Sequence, residues 1–306
     1  MDTIKKISKD IKDIKIQGAT NISIATMEIL KLLAIEYKNL NINSFIDKIE
    51  KTGTKISLIR QTEPMSQNAI KYVIHNLKKL NPKTTDEAII IINKYSNEFI
   101  KLIRSNDEKL VKNGVNIINT NNKILTHCHS SVVEKILISS RSKNIDIFNT
   151  ETRPLFQGRI MANNLTKAGI KTTMLIDSAA DFFISKHSGK LMMDKVIIGC
   201  DSISWNGGIV NKIGSYGISL SCKHNKTPLY IAGNLLKMDS DNIINIEIRE
   251  DSEVWHKKGN KFDIINIAFD FVPAEFITGI ICEFGIIKPK EVKNIVQKNY
   301  PWLLKK

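Results

Sequence analysis

Three short segments of this chain hold the residue types that proton-transfer chemistry uses. They are Thr126-His127-Cys128-His129-Ser130-Ser131, Glu151-Thr152-Arg153-Pro154-Leu155-Phe156-Gln157-Gly158-Arg159 and Gly199-Cys200-Asp201-Ser202-Ile203. Each follows a short apolar run, so each falls at the carboxyl end of a predicted strand, where open α/β sheets collect ligands. Asp177, in Ile176-Asp177-Ser178-Ala179, also ends such a run. Cys128 stands just ahead of an amphipathic stretch, Val132 to Arg141, whose helical N-terminus favours both a thiolate and a bound phosphate. Cys128 and Asp201 read together as an acid/base pair. The thiol would need its pKa brought down from about 8.5, and the carboxyl group would need apolar walls to keep its proton. Such a pair suits proton abstraction beside a carbonyl or latent carbonyl, as in sugar isomerisation. The plainer readings are a buried core cysteine and an Asp that caps the next helix.

His127 and His129 flank Cys128. Consecutive residues at a strand end point to alternate sides, so the three do not converge on one ion, and no remote Cys/His pair has ligand spacing. No metal is expected. An adjacent imidazole also rarely reaches the thiol, which argues against a Cys–His nucleophile. Phosphate-binding candidates are dispersed. Gln17-Gly18-Ala19-Thr20 lies between two predicted helices and can present backbone N–H groups. Arg60, Arg153, Lys212 and Lys237 are cations near turns. Trp205, Trp255 and Trp302 read as core or subunit contacts.

The elements that must position these residues fall into two parts. Residues 1–118 carry helical periodicity: Ile4, Ile7, Ile11 and Ile14; Ile24, Met27, Leu30 and Leu33; Ile70, Val73, Ile74 and Leu77. Pro64 and Pro82 interrupt it, and Thr84-Thr85-Asp86-Glu87 starts a long helix running past Ile103. Over residues 119–306 short apolar runs alternate with helical stretches. The runs are Lys123 to Thr126, Ile145 to Asn149, Thr172 to Ile176, Lys195 to Gly199 and Leu229 to Ala232. The helices between them are expected over Val132 to Arg141, Leu155 to Ala168, Ala179 to Ser185 and Asn211 to His224. The fold class is therefore α/β: an N-terminal all-helical domain, then a Rossmann-like domain with a mainly parallel sheet.

The bulk properties narrow the function classes. The 306 residues are 42% hydrophobic and 25% charged, ordinary for a globular protein. No apolar stretch approaches the roughly 20 residues of a membrane span. The N-terminus has no signal-peptide core, so a cytoplasmic location and no membrane partner are expected. The four cysteines show no C-x-x-C pairing and read as reduced thiols. The net charge of +14 comes with only six Arg among 45 basic residues, scattered along the chain. Nucleic-acid surfaces cluster their cations and favour Arg, so a nucleic-acid partner is not expected.

Taken in order, these segments resemble one family over nearly the whole chain. The match runs through Ile16-Gln17-Gly18-Ala19, the His127-Cys128-His129-Ser130-Ser131 segment, Glu151 to Arg159, Ile176-Asp177-Ser178-Ala179, Gly199 to Ile203, Asn206-Gly207, Asn211-Lys212-Ile213-Gly214 and Phe271-Val272-Pro273. The family is the superfamily of the regulatory α/β/δ subunits of translation initiation factor 2B. It also contains methylthioribose-1-phosphate isomerase and archaeal ribose-1,5-bisphosphate isomerase. The regulatory subunits generally lack the cysteine; here Cys128 and Asp201 both stand at the isomerases' positions, and the His-Cys-His-Ser form is similar to the ribose-bisphosphate branch.

By that resemblance Cys128 is the base and Asp201 the acid. Gln17, Gly18, Ala19, Thr20, Arg60, Ser130, Ser131, Asn211, Lys212 and Lys237 hold a phosphorylated sugar. The resemblance further implies no cofactor, a homodimer or a hexamer of three dimers, and a place in AMP metabolism and nucleotide salvage. A methylthioribose-1-phosphate isomerase and a non-catalytic regulatory subunit are the alternatives. One departure bears on substrate: the family has Arg-Gly-Ala-Gly where this chain has Gln17-Gly18-Ala19-Thr20. The lost guanidinium contact is worth on the order of a few kcal/mol at most.

Overall fold

The helices expected in the N-terminal part form around apolar faces. In the computed structural model, which describes residues 2–239, 246–256 and 262–304, α1 spans Asp2–Lys12, α2 Ala19–Glu36, α3 Ile42–Ser57, α4 Pro64–Leu80 and α5 Thr85–Val115. Pro64 opens α4 at a first-turn position where its missing N–H costs nothing. Asn41 caps α3, its side-chain oxygen accepting from Ser44 N–H at 3.0 Å. Ile70, Val73, Ile74 and Leu77 are buried on one face of α4, as their spacing predicts. Ile14 departs from its predicted place: α1 stops at Lys12, and Ile14 takes a left-handed φ of 60° in the turn beyond.

Close contacts group the chain into two units. The helical unit comprises Met1–Asn106 with the later segments Leu236–Ser240 and Asn294–Lys306; the α/β unit comprises Asp107–Leu235 and Asp241–Lys293. This division runs through α5 and draws two late segments into the helical unit, where a single cut after residue 118 would leave them outside. Trp302 shows why: its ring lies 5.1 Å from Tyr72 and 6.1 Å from Phe99, in the aromatic core of the helices.

The α/β unit follows the predicted alternation. In chain order it contains β1 (Lys123–Thr126), α6 (Ser131–Ser139), β2 (Asp146–Thr150), α7 (Gln157–Lys167), β3 (Lys171–Leu175), α8 (Ala180–Ile184) and β4 (Lys195–Ile198). It continues with β5 (Ser202–Ile203), β6 (Ile209–Lys212), α9 (Ser215–Asn225), β7 (Leu229–Ala232), β8 (Ile248–Arg249), β9 (Asn266–Ile267), β10 (Phe269–Val272), β11 (Gly279–Cys282) and β12 (Gly285–Ile287). Helix α10 (Val292–Asn299) starts in this unit and passes into the helical one. The main sheet has the order β12-β11-β7-β4-β1-β2-β3. Its pairs are parallel except β11 with β12. Buried strand residues Ile124, Ile147, Ile197 and Ile281 pack with Val133, Ile136 and Leu137 of α6 and Met161 and Leu165 of α7. Among the described residues no helix is long and apolar enough to cross a membrane.

The strand order fixes where a ligand would sit. From β1 the chain moves outward to β2 and β3, then returns to place β4 on β1's other side. The gap beyond the carboxyl ends of β1 and β4 is thus the topological switch point of the sheet. Cys128 leaves β1 there, and Asp201 leaves β4.

The helix predicted from Asn211 begins later, at Ser215. Asn211 and Lys212 instead belong to β6, which pairs antiparallel with β10 and β5 in a three-stranded sheet. Ladder pairing won over the helical pattern because Phe269 and Phe271 offer a matching strand that lies far away in sequence.

Gly158 carries a stability prediction. A Cβ there would fall 1.8 Å from the Thr150 carbonyl oxygen, because the first turn of α7 presses on the end of β2. Backbone cannot swing aside as a side chain can. Gly158→Ala is expected to cost about 3 kcal/mol or more, read as a lower urea midpoint with an unchanged slope.

Candidate active site

At the end of β1 the backbone turns sharply: Cys128 has φ 66° and Thr152, at the end of the adjacent β2, has φ 65°. Neither residue is glycine, and a β-branched residue in this region is strained. Hydrogen bonds hold both. The Cys128 N–H donates to Thr152 Oγ1 at 3.0 Å. Asp177, just past β3, accepts from Thr152 N–H and Arg153 N–H, each at 2.7 Å and each on a different carboxylate oxygen.

His127 is 3% exposed and bonded at both nitrogens. Nε2 lies 2.8 Å from the Ile213 carbonyl, which can only accept, so the proton sits on Nε2. Nδ1 therefore accepts from the Thr150 hydroxyl at 2.6 Å. Burial pushes the imidazole's pKa down, so the ring is neutral and its role is to fix the strand ends. His129 turns to Glu134 at 2.8 Å, and Glu134 also accepts from Asn164 at 2.9 Å. Among the described residues no group of three or more His, Cys, Asp or Glu is placed to hold a metal ion.

The Cys128 thiol is half-buried, and burial pushes its pKa up from 9.0 to about 11. The Lys212 ammonium and the His129 N–H pull the other way, while the Asp201 and Asp177 carboxylates add to the rise. A helix start and a cation, expected from the sequence to stabilise a thiolate, are present but outweighed by desolvation. The resting protein carries a thiol.

Asp201 does not cap a helix. Its N–H donates to the Val210 carbonyl at 2.8 Å, and the chain goes on into β5. Lys212, only 8% exposed, stands 4.5 Å over the Phe269 ring. Asn211 donates to Ser215 Oγ at 2.8 Å. Ser130 precedes α6 without capping it through its side chain, and Ser131 is the exposed first residue of that helix. Ser130 lies so close to Gly199 that a Cβ at 199 would meet its Oγ at 2.7 Å; the close approach of the β1 and β4 loops requires glycine there. The α/β unit thus assembles Cys128, Asp201, Ser130, Ser131, Asn211 and Lys212 around one end of its sheet.

The remaining sequence-derived residues lie in the helical unit. Gln17 and Gly18 are exposed just ahead of α2, with Gly18 at φ 80°; Ala19 and Thr20 form its first turn. Arg60 ends a one-turn 3-10 helix after α3, and Lys237 ends another over Leu235–Lys237. Asn68 of α4 donates to the Leu236 and Met238 carbonyls, both at 2.8 Å, and so fixes the backbone on either side of Lys237. Sequence reasoning missed Asn68, Thr152 and the double acceptance by Asp177. A buried Asn in an apolar helical stripe was the available signal for the first; the other two show only in three dimensions.

A doubly wound sheet with a cysteine and an aspartate at its switch point, joined to a helical unit, defines a class, and the comparisons place the chain in it. The profile of the Initiation factor 2 subunit family matches residues 15–289, and the chain belongs to that family. A ribose 1,5-bisphosphate isomerase of Methanocaldococcus jannaschii is 34% identical over 313 residues, covering 100% of this chain and 98% of that protein. A methylthioribose-1-phosphate isomerase of a Thermoanaerobacter species is 31% identical over 320 residues, covering 96% and 90%. A crystal structure of Pyrococcus horikoshii translation initiation factor eIF-2B shares the fold, with a TM-score of 0.77 at 23% identity over 94% of this chain and 98% of that one. The full-length matches to isomerases place this chain among the enzymes of the family.

Proposed function

We propose that this isomerase converts α-D-ribose 1,5-bisphosphate to D-ribulose 1,5-bisphosphate, with Cys128 as base and Asp201 as acid. The carrying observation is electrostatic and geometric: at the sheet's switch point, one thiol feels both the Asp201 carboxylate and the Lys212 ammonium. A C1 phosphate blocks spontaneous opening of the sugar ring. In the reacting form the one proton shared by the pair has passed from the Cys128 thiol to the Asp201 carboxylate, and Asp201 delivers it to the ring oxygen as the bond from that oxygen to C1 breaks. The Cys128 thiolate takes the C2 proton, and those electrons form the C1–C2 double bond. The resulting thiol then returns its proton to C1 while the Asp201 carboxylate takes the proton of the C2 hydroxyl, leaving the ketone. Both groups end as they began, and no cofactor enters the balance.

Substrate binding is assigned to Ser130, Ser131, Asn211 and Lys212 of the α/β unit. The assignment of Gln17, Gly18, Ala19, Thr20, Arg60 and Lys237 of the helical unit rests on the family resemblance. Methylthioribose 1-phosphate is the second reading, favoured by one observation: uncharged Gln17 removes a cation, and that substrate has a single phosphate. A homodimer, alone or as three dimers, goes with the proposal and is checked by light scattering. The deciding experiment incubates the purified chain with each sugar phosphate and follows ketose formation by NMR. Ribulose 1,5-bisphosphate is expected as the faster product. Binding of sugar phosphate without turnover of either would make the chain a regulator.

A further inference from the structure

We propose that Asp177 is a positioning residue for the Cys128 thiol, acting through Thr152. The proposal rests on the assignment of Cys128 as base and adds a residue that touches neither substrate nor sulfur through a hydrogen bond.

The hydrogen bonds around Cys128 run in one direction only. The Ile213 carbonyl fixes the His127 proton on Nε2, so Thr150 Oγ1 must donate to Nδ1. The Thr150 hydroxyl oxygen is then left as acceptor for the Thr152 hydroxyl, 3.3 Å away, with the Thr150 carbonyl at 3.4 Å as a second acceptor. Thr152 Oγ1 in turn accepts the Cys128 N–H. What holds Thr152 in its left-handed conformation is Asp177, which takes both its N–H and that of Arg153. The link spans the ends of three adjacent strands: β3 supplies the carboxylate, β2 the hydroxyl and β1 the cysteine. An Asp needed only to cap its own one-turn helix would not spend both oxygens on the neighbouring loop.

The same carboxylate acts on the thiol through its charge. The groups whose charges reach Cys128 are Lys212, which favours the thiolate, and Asp201 and Asp177, which disfavour it; the His129 N–H also favours it. His127 beside it is neutral.

The test uses the full-length chain with Asp177→Asn, Thr152→Val and Thr152→Ser. One readout needs no substrate: the pH profile of Cys128 alkylation by iodoacetamide, followed on the Cys128 peptide by mass spectrometry. The other is kcat and KM for the sugar bisphosphate. Asparagine offers one acceptor oxygen where two are used, and it removes the charge. Asp177→Asn is expected to move the alkylation midpoint to lower pH and to lower kcat about 100-fold, the scale of an ångström's misplacement, with KM nearly unchanged. Thr152→Val should lose kcat similarly without the acid shift, because the carboxylate remains, and Thr152→Ser should restore most of that loss. A wild-type alkylation profile and kcat in Asp177→Asn would overturn the proposal, as would Thr152→Val with wild-type kcat. If Asp177→Asn does not fold, the two Thr152 variants decide. If the wild-type chain turns over no sugar phosphate yet the alkylation midpoint of Asp177→Asn moves down, the function falls and the Asp177 link stands.

Discussion

Replacing Cys128 by Ser is expected to remove turnover, with kcat lowered by about 10⁴-fold, the upper range for a lost general base. A hydroxyl is far less acidic than a thiol, so serine offers no usable anion at C2. The exchange of sulfur for oxygen leaves the backbone anchor on Thr152 intact, so the variant should unfold at the wild-type temperature. The pH dependence separates this from a folding defect. Burial holds the free thiol at about 11, so the rate of Cys128 alkylation rises with pH, close to tenfold per unit, throughout the neutral and mildly alkaline range. Cys128→Ser should lack that limb. The assay has an upper limit, and its sign follows from the same burial. The folded thiol stays protonated above 9.0, where the unfolded one ionises, so its contribution to stability is complete below 9.0 and is lost as pH climbs through about 11. Cys222 and Cys282, both raised to about 12 by burial, act in the same direction. Profiles measured below pH 9 avoid this loss. Wild-type turnover in Cys128→Ser would reject Cys128 as the base.

Much of this site was legible because its parts obey local rules. Short runs rich in Ile and Val, alternating with helical stretches, located β1, β2, β3, β4 and β7 to within a residue or two. Cys128 and Asp201 could be placed at strand ends from those runs alone. What escaped was set by contacts distant in sequence. Asn211 and Lys212 look like a helix start because Ser215 to Asn225 does form a helix, yet a strand nearly sixty residues later claims them for β6. The left-handed conformation of Cys128 and Thr152 has no signature in residue type, since neither is Gly or Asn; it exists because Asp177 and Thr152 hold it. The direction of the thiol's pKa was equally hidden. A helix start and a cation can be read from a sequence, whereas desolvation depends on how closely the β1 and β4 loops approach, and Gly199 marks that approach only in three dimensions, where a Cβ would strike Ser130.

Lys212→Gln should weaken catalysis while leaving the fold about as stable as before. A lysine buried to this degree ordinarily has a carboxylate beside it. Here its neighbour is the Phe269 ring, and its charge also reaches the Glu253 carboxylate and helps hold the pKa of that group down. A bound phosphate would give the ammonium a close partner. Loss of a charge-assisted contact of about 1.5–3 kcal/mol raises KM for the bisphosphate roughly 10- to 100-fold. The thiol responds too. Lys212 is the first influence holding the Cys128 pKa down, so its removal moves the midpoint of Cys128 alkylation to higher pH, opposite to the shift expected for Asp177→Asn. Lys212→Arg keeps a cation that can stack on the Phe269 ring, so it is expected to retain part of the substrate affinity. Isothermal titration with substrate, a pH profile and a urea melt together check the three consequences. A marked fall in stability would show that Lys212 belongs to the scaffold, and an unchanged KM would remove it from the phosphate site.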